Sequence, residues 1–344
     1  MVLSVTYLNW SRSCAEPCSR EGGAVQNKLL ELTAAAQQIN SGASLAIGGF
    51  TSQRHPTALL RELIRQKRKD FVVYAHSAGS ELDLLIGAGC VRRVEAAYLA
   101  DGVLAPIAPN WRRFIESGEL EFEDYSNAAM MARFTAGAMG LPFFPTLSML
   151  GTDMLEQDGL SPESRERDPE AAVCKAVLMD CPFSKRKVVL VPAITTDFCL
   201  LHVQKASPAG LVRIEGQEFL DVQMALASRR VIVTCEELVD DEELRREPER
   251  NRIPSFAVHG VVHVPFGAHP HGVHNYYDYD PDHLILYNNS AETEDGLVRY
   301  LDRFVYGVED QASYLNAVGG RVQLEALKAH SGFGYNPKLR RRVA

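Results

Sequence analysis

Two hydrophobic rhythms alternate along the chain. The continuous apolar runs "SLAIGG", "DFVVYA", "RVEAAYL", "KVVLVPAI", "FCLLHVQ" and "RRVIVTC" read as strands buried on both faces. Between them, "PTALLRELIRQ", "SELDLLIGAG", "PNWRRFIESG", "NAAMMARFTAGAMG" and "FLDVQMALAS" carry apolar residues at helical spacing, and "NKLLELTAAAQQINSG" precedes them as a helix ending in a glycine signal. The alternation predicts an α/β fold, a mostly parallel sheet with helices on both faces. Residues 156–171, polar with Gly and Pro, read as a surface excursion, and 240–252 as a solvated charge run. Two or three amphipathic helices are predicted near the end of the chain. Residues 1–25 read as an N-terminal extension outside the core, open to disorder. Residues 26–344 read as a single domain that includes the C-terminal helices.

Composition narrows the classes. The 344 residues, 46% hydrophobic and 23% charged, suffice for a sizeable core. A formal net charge of -8 argues against nucleic acid as a partner, which needs a basic face. No apolar run is long enough to span a bilayer, so no membrane partner is expected. The start lacks a basic stretch followed by an apolar block, so a secretory signal is not expected. Seven scattered cysteines without a CxxC pair suit free thiols in a reducing cytoplasm.

Candidate chemistry sits where two strands end in small residues. "SLAIGGFTSQRHPTALL" runs from a strand through Gly48-Gly49 to a helix beginning near Pro56. Glycine allows close approach, and a helix N-terminus favours an anion or a polarised oxygen. "FVVYAHSAGSELDLL" repeats the design, with Ser80 as N-cap and Glu81 in the first helical turn. Adjacent loops of this kind make one crevice at the carboxyl edge of the sheet, where open α/β sheets bind ligands. Neither loop is a P-loop or a dinucleotide fingerprint, and "IGAGC" ends a helix instead of opening one.

At these loops the sequence resembles the alpha chains of family I coenzyme A transferases, in particular the branch of the glutaconate CoA-transferase alpha chain. "GASLAIGGF", "RHPTALLRELI", "HSAGSELDLLIGAGCVRRV", "MGLPFFPTLSMLGTDML", "CLLHVQKASPAGLVRIEG", "VPFGAHP" and "YLDRFVYGVEDQASYL" carry the likeness, in order, over roughly residues 27 to 325. The resemblance implies a CoA-transferase-type fold and a coenzyme A thioester as substrate, with no tightly bound cofactor. It also implies a homologous beta subunit that carries a glutamate nucleophile, within a higher alpha-beta oligomer. That carboxylate attacks the acyl-CoA to give a mixed anhydride and free CoA thiolate, which returns to form an enzyme thioester. By similarity, Gly48, Gly49 and Phe50 of the first loop and Ser77, Ala78 and Gly79 of the second face the acyl group, their amides offering an oxyanion site. Arg54 is the candidate for a distal carboxylate.

No catalytic residue is expected in this chain. The family's Glu-Asn-Gly turn is absent, and Glu81, Glu215, Glu236 and Glu237 each have a structural reading. In related ring-opening hydrolases an acidic residue stands where this chain has Asn127, an amide that cannot serve as a base. Asn127 either contacts substrate or caps the following helix. The five histidines from His259 to His274 raise zinc. Strand spacing, however, sets His259 and His263 roughly 13 Å apart, and no metal is expected. The alternatives are the alpha subunit of a related ring-opening hydrolase of CoA thioesters, for which Asp124 is a nearby carboxylate, and, of another class, a non-catalytic binding or scaffold chain.

Overall fold

In the computed structural model, residues 27–102, 104–168 and 170–339 are described; the extension read at residues 1–25 lies outside them. Eleven strands follow in order: β1 (Ser44–Ile47), β2 (Phe71–Ala78), β3 (Val91–Leu99), β4 (Glu121–Asp124), β5 (Phe143–Thr146), β6 (Val177–Asp180), β7 (Lys187–Pro192), β8 (Thr196–Ala206), β9 (Val212–Arg213), β10 (Ser228–Leu238) and β11 (Val258–His263). Seven of them form a parallel sheet in the order β11-β10-β8-β1-β2-β3-β4, and β9 joins β8 antiparallel.

Alternation along the strands divides the core. Leu45, Ile47, Val73 and Ala75 pack into one hydrophobic cluster, while Ala46, Val72 and Tyr74 pack into the other. Both faces are therefore covered, which is why these strands appear as unbroken apolar runs. The helix Thr57–Arg65 and the C-terminal helices Pro281–Ala291 and Glu294–Leu301 lie on the first face; Asn127–Ala138 and Asp221–Leu226 lie on the second. The α/β expectation holds.

Three local expectations change, and a fourth gains an anchor. "KVVLVPAI" is β7, but it leaves the parallel sheet and pairs antiparallel between β5 and β6. Its alternating burial reflects one covered face only. The first helix shrinks to Leu32–Gln37, because Lys28 and Leu30 bond to the backbone of Val261 in β11. Residues 156–171 are the expected surface excursion, mostly exposed, and they are anchored: Asp168 receives Arg92 at 2.6 Å and Arg93 at 2.8 Å, and Arg165 pairs with Glu123 of β4. β2 continues through Ala78, so Ser77 and Ala78 are strand residues and only Gly79 turns the chain.

Candidate active-site crevice

β1 and β2 are neighbours at the centre of the sheet, and their carboxyl ends bring the two glycine segments together. The Thr51 amide donates to the Ser77 carbonyl at 2.9 Å, which fixes one segment against the other. Gly49 has φ of +95°, and an added Cβ would stand 2.6 Å from the Gln53 carbonyl oxygen. Only glycine meets both conditions without strain. Gly48 and Gly79 are needed for close approach of protein groups: an added Cβ would meet Leu201 and Asp221 in the first case, Asp101 and the Thr51 carbonyl in the second.

Hydrogen bonding changes the expected role of these amides. Gly48 N–H donates to the Leu200 carbonyl at 3.0 Å, Gly49 N–H to Asp221 Oδ1 at 3.0 Å, and Phe50 N–H to the Gln53 carbonyl at 2.9 Å. Gly79 N–H donates to the Glu81 carboxylate at 2.9 Å. All four donors are committed inside the fold, so the oxyanion role read from glycine content does not follow from this geometry. Arg54 is likewise engaged. Its guanidinium donates to Asp221 Oδ2 at 2.6 Å, to the His202 carbonyl at 3.2 Å and to the Gln217 carbonyl at 2.7 Å. It is buried and clamps the loop before Asp221 to the glycine turn, where the sequence suggested an open carboxylate receptor.

What remains at the crevice is side-chain chemistry. Phe50 stacks on Phe219 with centroids 4.2 Å apart and lies 5.6 Å from the His76 ring. Ser77 Oγ–H donates to Asn127 Oδ1 at 3.4 Å. Ser126, not Asn127, caps the helix, accepting the Ala129 amide at 3.1 Å, so Asn127 is an exposed first-turn residue. A cavity of about 330 Å³ opens beside Arg54, bordered also by Gly216, Phe219, His274 and Tyr277. Phe219, His76 and Asp221 escaped sequence reasoning. They lie on two segments, β2 and the chain that enters the helix Asp221–Leu226, and their meeting is a product of sheet order.

The four glutamates considered as nucleophiles are engaged. Glu81 is fully buried and burial pushes its carboxyl up to about 7. Glu236 accepts from His202 Nε2 at 2.7 Å, the Phe266 amide at 2.7 Å and the Tyr277 hydroxyl at 2.5 Å. Glu215 accepts from Asn275 at 2.6 Å, and Glu237 from the Tyr276 hydroxyl at 2.8 Å. Asp124, the carboxylate nearest Asn127 in sequence, pairs with Lys175 Nζ at 2.7 Å.

The histidine-rich segment does not converge on one point. His259 Nδ1 meets the Ala257 carbonyl, His263 Nε2 the Glu236 carbonyl, and His269 the Tyr314 hydroxyl and Asp280. His271 instead joins His55 and Glu81, each offering a ligand atom within 4.8 Å of the others. Both ring nitrogens of His55, however, face carbonyl oxygens, and a nitrogen that donates a proton cannot also coordinate a metal. This donor set is one of hydrogen bonds.

A parallel α/β sheet with its crevice at the carboxyl ends of the central strands, walled by small and aromatic residues, defines a ligand-binding α/β protein. The comparisons specify it further. The coenzyme A transferase family model matches residues 30–264. The chain is 38% identical over 304 residues to the A-type chain of glutaconate CoA-transferase from Acidaminococcus fermentans, covering 88% of this chain and 95% of that one. It is 30% identical over 291 residues to the A-type chain of 3-oxoadipate CoA-transferase from Pseudomonas knackmussii, covering 83% and 96%. The crystal structure of glutaconate coenzyme A-transferase from Acidaminococcus fermentans superposes with a TM-score of 0.87 at 37% identity, over 90% of this chain and 98% of that chain. This chain belongs to the coenzyme A transferase family. The enzyme class read from sequence, a transferase acting on coenzyme A, stands on that membership.

Proposed function

We propose that this chain is the alpha-type subunit of a two-subunit CoA-transferase, forming one wall of the crevice while a homologous beta subunit supplies the attacking glutamate. One observation carries this reading: each glutamate considered as a nucleophile is buried or already hydrogen-bonded, and Glu81 lies beneath the crevice floor. Phe50, Ser77, Asn127 and the neighbouring His76 and Phe219 contact the acyl part of the thioester through their side chains. The glycines keep the turn that aims them. Glutaconate and 3-oxoadipate, named for the two relatives, are the first acids to test.

A group of exposed apolar residues supports a protein partner. Met131 and Met139 of the helix that starts at Asn127, Phe143 of β5, Leu147, and Val177 and Leu178 of β6 are each at least 46% exposed. Exposed apolar side chains gathered on neighbouring elements, here the helix Asn127–Ala138 and the β5-β7-β6 sheet, mark an interaction surface. No helix among the described residues is long and apolar enough to cross a membrane. We assign the assembled enzyme to the cytoplasm, where the five free cysteines of the described residues stay reduced.

The test is reconstitution. The chain alone should not exchange CoA between an acyl-CoA and either acid. With its partner it should show ping-pong kinetics and a borohydride-sensitive thioester on the partner's glutamate. Turnover by the isolated chain, or an adduct mapped onto it, would overturn the division of labour.

A further inference from the structure

Beneath the two glycine segments lies a closed cluster of two imidazoles and two carboxylates: His55, His271, Glu81 and Asp101, all buried. His55 Nδ1 stands 2.8 Å from the Gly48 carbonyl oxygen, and its Nε2 stands 2.9 Å from that of Thr51. A neutral imidazole carries one N–H and one bare lone pair. Placed between two carbonyls, it would press that lone pair against an acceptor oxygen. An imidazolium donates to both.

Of the charged groups facing His55, Glu81 favours a cation there, while His271 and Arg54 oppose it. Glu81, from the helix Ser80–Gly87, lies 3.1 Å from Nδ1. His271, from the loop after β11, packs edge-on with centroids 4.8 Å apart, and lies 3.4 Å from Glu81 and 3.7 Å from Asp101. Arg54 is adjacent in the chain, and its charge is met by Asp221. Burial, with His271, pulls the His55 ring well below its ordinary value, whereas the two carbonyls raise it. The two carbonyls decide the state of the ring, because a neutral ring would have one repulsive contact at hydrogen-bond distance. His271 is raised despite its burial, through Asp101 and Glu81.

We propose that His55 is a doubly protonated positioning residue: an imidazolium beside the Glu81 carboxyl that holds the Gly48 and Thr51 carbonyls, and so fixes the turn from which Phe50 reaches the crevice. The catalytic part of this inference rests on the CoA-transferase reading; the protonation state does not. His55 touches no substrate. It sets the turn, and the turn sets the aromatic wall.

The direct test is nitrogen-15 NMR of histidine-labelled full chain, alone and with its partner subunit, with His55 assigned by the signals lost in His55→Gln. Two N–H nitrogens on His55, unchanged between about pH 6 and 8, are expected, although a free histidine titrates in that window. A bare ring nitrogen, or a metal ion bound to it, would overturn the proposal. In the complex, with glutaconate or 3-oxoadipate as acceptor from an acyl-CoA, His55→Gln should lower kcat about 10- to 100-fold with KM changed less than about twofold. A folded His55→Gln complex with unchanged kcat would refute the positioning role. If the wild-type complex has no transferase turnover while His55 is doubly protonated, the functional reading fails and the protonation state stands.

Discussion

Arg54 and Asp221 meet at 2.6 Å with both side chains buried, 167 residues apart in the chain. The other Asp221 oxygen accepts the Gly49 amide at 3.0 Å, so one carboxylate ties the guanidinium and the glycine turn together. Breaking such a pair leaves an uncompensated buried charge, which costs about 3–5 kcal/mol. Asp221→Ala should lower unfolding stability by that amount. The double variant with Arg54→Met should lose less than the sum of the two single changes. Chemical denaturation of the four proteins measures the difference, and strict additivity would contradict the pairing.

Gly49 and Gly42 separate strain from crowding. Both have positive φ, +95° and +83°, but an added Cβ at Gly42 meets nothing within 4 Å. Gly42→Ala should therefore cost about 1 kcal/mol of backbone strain. Gly49→Ala adds a clash with the Gln53 carbonyl and the His55 ring, and should cost at least about 1 kcal/mol more. Equal melting temperatures for the two variants would refute the packing account.

Acid should unfold the protein through the C-terminal helices. Burial takes the His283 imidazole from 6.5 down to about 3, so the folded state keeps it neutral. The unfolded chain binds its proton first. The stability from this group is complete above pH 6.5 and is lost as the pH falls toward 3. Burial opposes ionisation of Asp280, yet its hydrogen bond with His269 draws it from 3.8 to about 2, so its contribution is lost over that lower window. Between pH 6 and 4 the unfolding free energy should fall by about 1.4 kcal/mol per pH unit from His283 alone. His283→Gln should remove that slope.

Asn127 offers a change that leaves the core alone. It is exposed, does not cap its helix, and its side-chain oxygen accepts from Ser77. Asn127→Ala should leave the melting temperature within about 1 °C, since exposed substitutions stay within about 0.5 kcal/mol. In the assembled enzyme kcat/KM should fall about tenfold, as for loss of one polar substrate contact. Unchanged kinetics would remove Asn127 from the crevice.

The chain's own pattern carried the architecture. β1, β2, β3, β8 and β10 are buried on both faces, so unbroken apolar runs announced them, and the helices between them kept a legible period. β5 and β6 left no such trace, being four residues each with largely exposed side chains. The turns at Gly48-Gly49 and Gly79 were also legible, because glycine marks places where a Cβ does not fit. What fills each space is a long-range matter. Asp221 and Phe219 come from the chain before β10 and Asp101 from the chain after β3, brought to the two turns by sheet order, whereas His55 comes from the loop of the first turn itself. Sequence therefore determined that the backbone is bare at the crevice. Tertiary structure decided that the protein's own carboxylates and carbonyls occupy those amides, because a buried N–H must find an acceptor and the fold supplies one before any ligand arrives.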